Sequence, residues 1–233
     1  MKLSIVVPFY NEEKNILFVL EEYKRFEHNY DFELVCVNNG SRDHSDQIFC
    51  DVKKSGRYPF AKVITVENNR GYGYGIIQGV KNAVGEVIAW THADLQTDSE
   101  DVFCAFDKYS QHNNEHILVK GNRVKRPFLQ AVFSFGMAVI ASIVLNGVFF
   151  EINAQPKLFH RSFLPFLRHA PDDFSLDLYL LYQAKQHKYS IRTIDVIFRK
   201  RLHGTSKWAY SLSSRIRTIA RTIRYIFKLR NFL

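Results

Sequence analysis

The sequence predicts an α/β domain built on a mainly parallel sheet flanked by helices. Two observations predict it. Short apolar runs alternate with helix-period segments through the first half of the 233 residues, and each run ends in a polar, turn-forming cluster. Such alternation places the crossover helices on both faces of the sheet and the clusters along one edge.

Taken in order, residues 3–8 read as a strand, 12–27 as a helix and 32–38 as a strand. A helix over 44–54 and a strand over 62–66 follow. Next come a helix over 74–84, a strand over 86–91, a helix over 99–112 and a strand over 116–120. A further helix over 174–187 is preceded or opened by Asp172, Asp173 and Asp177. Residues 131–150 carry no charge across twenty positions, long enough to nominate a membrane span. Ser134, Gly136, Ser142, Asn146 and Gly147 moderate that apolarity. A crossing would also part residues 151–233 from the first half, so a helix or broken pair lying on the core or dipping into one leaflet is expected. From Trp208 to Arg230, apolar Leu212, Ile216, Ile219, Ile223 and Ile226 recur at steps of three and four against Arg217, Arg221, Arg224 and Lys228. This basic amphipathic helix suits an anionic membrane surface or a berth on its own domain.

The composition is globular, with a net charge of +9. Asp195 is the single acidic residue from Lys185 onward, so this end seeks anions. Nucleic acid is not expected, because the tail lacks interleaved base-stacking aromatics and any nucleic-acid fold motif. Three cysteines without metal-ligand spacing favour a reducing compartment. Met1 to Pro8 reads as a strand, not a signal peptide.

The sharpest cluster is Trp90-Thr91-His92-Ala93-Asp94-Leu95-Gln96-Thr97-Asp98. If the strand stays extended, His92, Asp94 and Gln96 share one face and can hold a divalent cation, Mn²⁺ or Mg²⁺, against a diphosphate. A polar strand exit is the alternative. Three more clusters fall on the same edge: Tyr10-Asn11-Glu12, Asn38-Asn39-Gly40-Ser41 and Asn68-Asn69-Arg70-Gly71. Tyr10 and Glu12 suit a ribose or base, Pro8 fixes its strand's exit, and Asn39 offers an amide to a base edge. Gly71, Gly73 and Gly75 either admit a ligand close to the backbone or form a helix-entry turn.

In order, Val7-Pro8-Phe9-Tyr10-Asn11-Glu12-Glu13, Asn39-Gly40-Ser41-Arg42-Asp43, Asn69-Arg70-Gly71-Tyr72-Gly73 and Ala93-Asp94-Leu95-Gln96 resemble the family 2 glycosyltransferases. Gly121-Asn122-Arg123, Lys157-Leu158-Phe159 and Arg201-Leu202-His203-Gly204-Thr205-Ser206-Lys207 continue the resemblance, which lies with the dolichol-phosphate mannose synthase-like, polyprenyl-phosphate branch. It implies a GT-A fold over 1–207, with a nucleotide-sugar half (1–121) and an acceptor half (122–207), followed by the basic helix of 208–233. It also implies a nucleoside-diphosphate sugar donor, a divalent metal and inversion at the anomeric carbon. Pro8, Tyr10, Glu12, Asn39, Arg70, Gly71 and Ala93 would then line the donor site, with Arg123 near its phosphates. Asp94 and Gln96 would hold the metal, with His92 beside them, and Arg201 and Lys207 would close over a phosphate.

Three departures stand out. Asn38-Asn39 replaces the family's usual Asp-Asp, His92 replaces the usual first Asp of the metal motif, and Gln130 stands four residues before Ser134 where an Arg is usual. The acceptor is expected to be a lipid phosphate, which is already anionic, or a glycan hydroxyl, which needs a base. Asp177 is the candidate base. The expected location is the cytoplasmic face of a membrane, held peripherally. A transferase-like scaffold without activity is the rival reading, favoured by Asn38, Asn39, His92 and Gln130.

Overall fold

The computed structural model describes residues 1–112, 114–125, 128–201 and 212–231, with the backbone alone described for 128–131, 133 and 212–218. Among the described residues seven strands and seven α-helices follow one another as β1 (Leu3–Phe9), α1 (Glu13–Lys24), β2 (Phe32–Asn39), α2 (Ser45–Ser55), β3 (Ala61–Val66), α3 (Tyr72–Asn82) and β4 (Val87–Trp90). Then come α4 (Ser99–Ser110), β5 (Ile117–Val124), α5 (Phe128–Val144), β6 (Lys157–His160), a 3₁₀ segment (Arg161–Leu167), α6 (Leu176–Gln186), β7 (Ser190–Ile197) and α7 (Leu212–Arg230).

The strands form one sheet in the order β3-β2-β1-β4-β6-β5-β7. β6 runs antiparallel to both its neighbours, β4 and β5, whereas β5 and β7 pair in parallel. Two reversals restore the original direction. The C-terminal ends of β1 to β5 and β7 therefore share one edge, and β6 alone points the other way.

Period-two alternation sorts the strand residues into two cores. Ile5, Val7, Leu34, Cys36, Val87, Ala89 and Val119 face the layer of α1, α2 and α4. Val6, Val35, Val37, Ile88, Trp90, Leu118 and Phe159 face α3, α5, α6 and α7. Both faces are covered, which is why these strands read as continuous apolar runs. α4 begins in a capping box between Asp98 and Asp101, directly after the polar turn that leaves β4.

The C-terminal half departs from expectation in two ways. β6 and β7 add strands where none was expected. The apolar segment is a helix only to Val144, after which Asn146 takes φ +48° and the chain turns back. α5 buries Ala138 and Ala141 but turns Phe135 (70% exposed) and Ile143 (75%) outward, so it is neither a fully buried helix nor a free one. α7 buries Ile226 and Leu229 in the second core and leaves Arg221, Arg224 and Lys228 exposed. Its apolar stripe is thus in part a berth on the domain. Among the described residues no helix is long and apolar enough to cross a membrane.

Candidate active site on the carboxyl edge of the sheet

The loops at this edge are tied to one another by side chains. Asn11, at φ +55°, donates its backbone N–H to Ser41 Oγ (3.1 Å), and its own Oδ1 accepts from Arg42 N (2.8 Å). Glu13 N donates to Asp43 Oδ2 at 3.0 Å. The exits of β1 and β2 are therefore a single rigid rim, with Tyr10 and Pro8 half-buried along it.

β4 ends at Trp90, and the cluster after it is a turn, not an extension of the strand. Leu95 takes φ +53°, a region a residue with a Cβ seldom enters, and Asp94 Oδ1 accepts from Gln96 N at 3.2 Å. The shared face expected from strict alternation is thus lost, and the turn sorts the three side chains differently. Asp94 and Gln96 meet one cation: Arg201 NH2 lies 2.9 Å from Asp94 Oδ2, and Arg201 Nε donates to Gln96 Oε1 at 3.1 Å. Arg199 adds three ties: its N–H donates to Gln96 O (2.8 Å), its guanidinium donates to Asp98 (2.7 Å), and its carbonyl accepts from Gln96 Nε2 (2.9 Å). The segment after β7 is laced across the turn after β4, about a hundred residues away in sequence. Glu12 faces the same place: burial raises its carboxyl above the usual range, Asp94 and Asp43 reinforce this, and Asn15 and Arg201 oppose it.

His92 turns inward instead. Its Nε2 lies 3.1 Å from the Tyr72 hydroxyl, and the two rings pack edge to face. Burial lowers its basicity against the pull of Asp94 and Asp177. Below it, Gln155 Nε2 reaches both the Tyr72 hydroxyl (3.0 Å) and Asp177. Asp177 is 1% exposed and also receives Trp90 Nε1 at 3.1 Å, with Lys157 Nζ 3.7 Å away. Asp177 is thus a buried carboxylate held by Trp90, Gln155 and Lys157, and it is linked to the edge through Gln155 and Tyr72.

The other residues expected at the site have contacts of their own. Asn39 is 2% exposed and donates an amide hydrogen to Gly71 O (2.9 Å), which stabilises the entry to α3, while its Oδ1 has no partner among the described residues. The glycines admit the chain itself: a Cβ on Gly73 would lie 2.2 Å from Pro171 O, one on Gly71 2.3 Å from Asp172 O, and one on Gly75 2.6 Å from Asn39. Arg123 is ion-paired to Glu151 at 2.6 Å, and Arg70 to Asp172 at 2.8 Å beside the Tyr74 ring. Ala93 is buried at the head of the turn. Lys207 lies outside the described residues. Tyr72, Gln155 and Arg199 were not singled out from sequence. Each has a partner far along the chain, and no local pattern announces it.

Among the described residues no three His, Cys, Asp or Glu side chains gather as a metal cluster. The oxygen atoms of Asp94 and Gln96, with Glu12 near, are nonetheless the donor type that Mg²⁺ and Mn²⁺ prefer, and a guanidinium already stands between the first two. These residues fit a divalent cation.

The mainly parallel sheet gathers its polar loops at one carboxyl edge, where open α/β folds bind their ligands, and the Asp-x-Gln turn lies among them. The sequence model for glycosyl transferase family 2 matches residues 4–134, and the chain belongs to that family. It is 28% identical over 215 residues to a dolichyl-phosphate beta-glucosyltransferase of Trichomonas vaginalis, covering 83% of this chain and 64% of that one. It is also 28% identical over 152 residues to the dolichol-phosphate mannosyltransferase of Pyrococcus furiosus, covering 64% and 42%. The chain thus spans less than two thirds of either relative's length. Glucosyl-3-phosphoglycerate synthase of Mycobacterium tuberculosis, solved with Mn²⁺, UDP and its product, superposes with a TM-score of 0.73 at 18% identity, over 98% of this chain and 79% of that one. A mannosyltransferase of Pyrobaculum calidifontis, solved with GDP-Man and Mn²⁺, gives 0.67 at 18% identity, over 95% and 64%.

Proposed function

We propose that this glycosyltransferase moves a hexose from a nucleoside-diphosphate sugar to a polyprenyl phosphate, with inversion at the anomeric carbon, at a membrane surface. The observation that carries the reading is the meeting of Glu12, Asp94, Gln96 and Arg201 on one edge, carboxylate and amide oxygens beneath a cation from the distant segment after β7. Asp94 and Gln96 would hold Mn²⁺ or Mg²⁺, and the cation, when bound, would supply neutralisation of the departing diphosphate. Arg201, released from Asp94, would follow the same negative charge as it develops. Tyr10, Pro8 and the rim of 11–13 would bind the nucleoside, and Arg70 the diphosphate.

The enclosure of Asp177 bears on the acceptor. A hydroxyl acceptor needs a base within hydrogen-bond reach, and this carboxylate is buried beside Trp90 and Gln155. A phosphate acceptor is already anionic and needs position and charge screening only. The relatives named for dolichyl phosphate support the same choice. The outward face of α5, with Phe135, Ile143 and nearby Val148, together with Phe227 and the exposed cations of α7, would set the domain against the lipid surface from which such an acceptor presents its headgroup.

The test is transfer of labelled hexose from a panel of UDP- and GDP-sugars to polyprenyl phosphate in detergent, with and without chelator. Label entering the organic phase, lost with chelator and restored by Mn²⁺ or Mg²⁺, is the expected outcome. Label transferred only to water-soluble acceptors would refute the lipid assignment.

A further inference from the structure

His92 stands where the sequence pattern expects a metal ligand, yet its hydrogen bonding points elsewhere. Gln155 Nε2 lies 3.2 and 3.1 Å from the two oxygens of Asp177 and 3.0 Å from the Tyr72 hydroxyl. A carboxylate only accepts, so the Gln155 group facing it is the NH₂, and its two hydrogens serve Asp177 and the Tyr72 oxygen. Burial keeps Tyr72 a phenol. Having accepted from Gln155, that phenol needs an acceptor for its own proton. Among the described residues this is His92 Nε2, 3.1 Å away. A ring nitrogen that accepts carries no proton, so the hydrogen of the neutral imidazole sits on Nδ1. One nitrogen is then occupied by the phenol and the other by its own hydrogen, and neither offers a lone pair to a cation.

We infer that His92 is a positioning residue and not a metal ligand: it fastens the turn carrying Asp94 and Gln96, through Tyr72 and Gln155, to Asp177 on α6. The link joins four separate segments: α3, the exit of β4, the loop before β6, and α6. The Tyr72 ring is clamped between His92, at 5.3 Å and 88°, and Phe174, stacked at 4.8 Å and 12°. Its hydroxyl therefore cannot follow a displaced imidazole. The acceptor side of the domain thereby sets where the donor-side turn stands. Only the kinetic and metal-bound arms of the following test rest on the transferase reading.

The test uses the full chain. In metal-free protein, long-range ¹⁵N–¹H correlation of the histidine rings, with the His92 signal identified by its loss in His92→Gln, should show the Nδ1–H tautomer. The Nε2–H tautomer would overturn the inference. With Mn²⁺ and a nucleoside diphosphate bound, pulsed EPR should show no directly bonded imidazole nitrogen. A nitrogen coupling that vanishes in His92→Gln would overturn it. In turnover, His92→Ala and Tyr72→Phe should each lower kcat about tenfold with KM for the sugar nucleotide little changed, since misplacement of reacting groups acts on the chemical step. His92→Gln, whose Oε1 can accept the same phenolic proton, should recover most of the loss. Equal losses in His92→Gln and His92→Ala would count against the inference. A protein showing the Nδ1–H tautomer but neither Mn²⁺ binding nor turnover would refute the transferase reading and leave this assignment standing.

Discussion

Replacing Arg201 by Met should make the protein bind Mn²⁺ more tightly in the absence of nucleotide. The guanidinium lies 2.9 Å from Asp94 Oδ2 and 3.1 Å from Gln96 Oε1, on the two side chains proposed as ligands. Asp94 is 6% exposed and Arg201 26%, so the pair is little screened by solvent. A hydrogen bond to a charged group contributes about 1.5–3 kcal/mol, and the partial exposure of Arg201 argues for the lower half of that range. A cation binding here must first displace that contact. Its removal should lower the Mn²⁺ dissociation constant by about 10- to 40-fold, taking 1.4 kcal/mol as tenfold. Met keeps the length of the side chain and most of its packing. The same variant should bind nucleoside diphosphate less tightly and transfer hexose more slowly, because the cation that would screen the diphosphate is gone. Titration of free Mn²⁺ by its EPR signal, with and without nucleotide, reads both effects. Weaker or unchanged Mn²⁺ binding in the nucleotide-free variant would show that Asp94 and Gln96 are not the ligands, or that Arg201 does not guard them.

Other outcomes follow from packing and charge. Gly73→Ala should destabilise the fold by about 1–3 kcal/mol, since its Cβ would press on the Pro171 carbonyl at 2.2 Å, and urea unfolding checks it. Burial pushes the Lys120 and Lys157 amines down to about 7 and about 8, far below their unfolded value. In that window the unfolded chain binds more protons than the folded one, so stability should rise from pH 7 to 8.5, by up to about 1.4 kcal/mol per unit for each lysine fully neutral in the fold. Lys120→Met should flatten the rise, and a fall in stability over this range would contradict it. Phe135→Ser and Ile143→Ser lie on the outward face of α5. They should leave stability within about 0.5 kcal/mol yet weaken sedimentation with anionic vesicles. Equal vesicle binding by wild type and both variants would count against this face as the membrane contact.

The first half of the fold was legible because β1, β2 and β4 are covered on both faces and so read as plain apolar runs punctuated by polar exits. β6 is four residues long and owes its place to antiparallel insertion between β4 and β5, which nothing local encodes. β7 is an edge strand whose isoleucines at 191, 194 and 197 break the period of two. The residues of the site were legible as chemistry and less so as geometry. Asp94, Gln96 and Arg201 were each singled out by residue type, but their meeting across the edge was not foreseen. His92 instead meets the Tyr72 hydroxyl, and Asn39 ends β2 buried against the Gly71 carbonyl. Both outcomes depend on contacts across the chain that a one-dimensional spacing does not carry.

The most direct test of the central claim is transfer of labelled hexose to polyprenyl phosphate by wild type and Asp94→Asn, assayed side by side with Mn²⁺. The substitution keeps the size of the side chain and its bond to Gln96 N while removing its charge. Wild type should place label in the lipid extract. The variant should remain folded, with its urea midpoint lowered only by the loss of the Arg201 ion pair, lose Mn²⁺ affinity and leave the extract unlabelled. Undiminished lipid labelling by a folded Asp94→Asn protein would contradict the account.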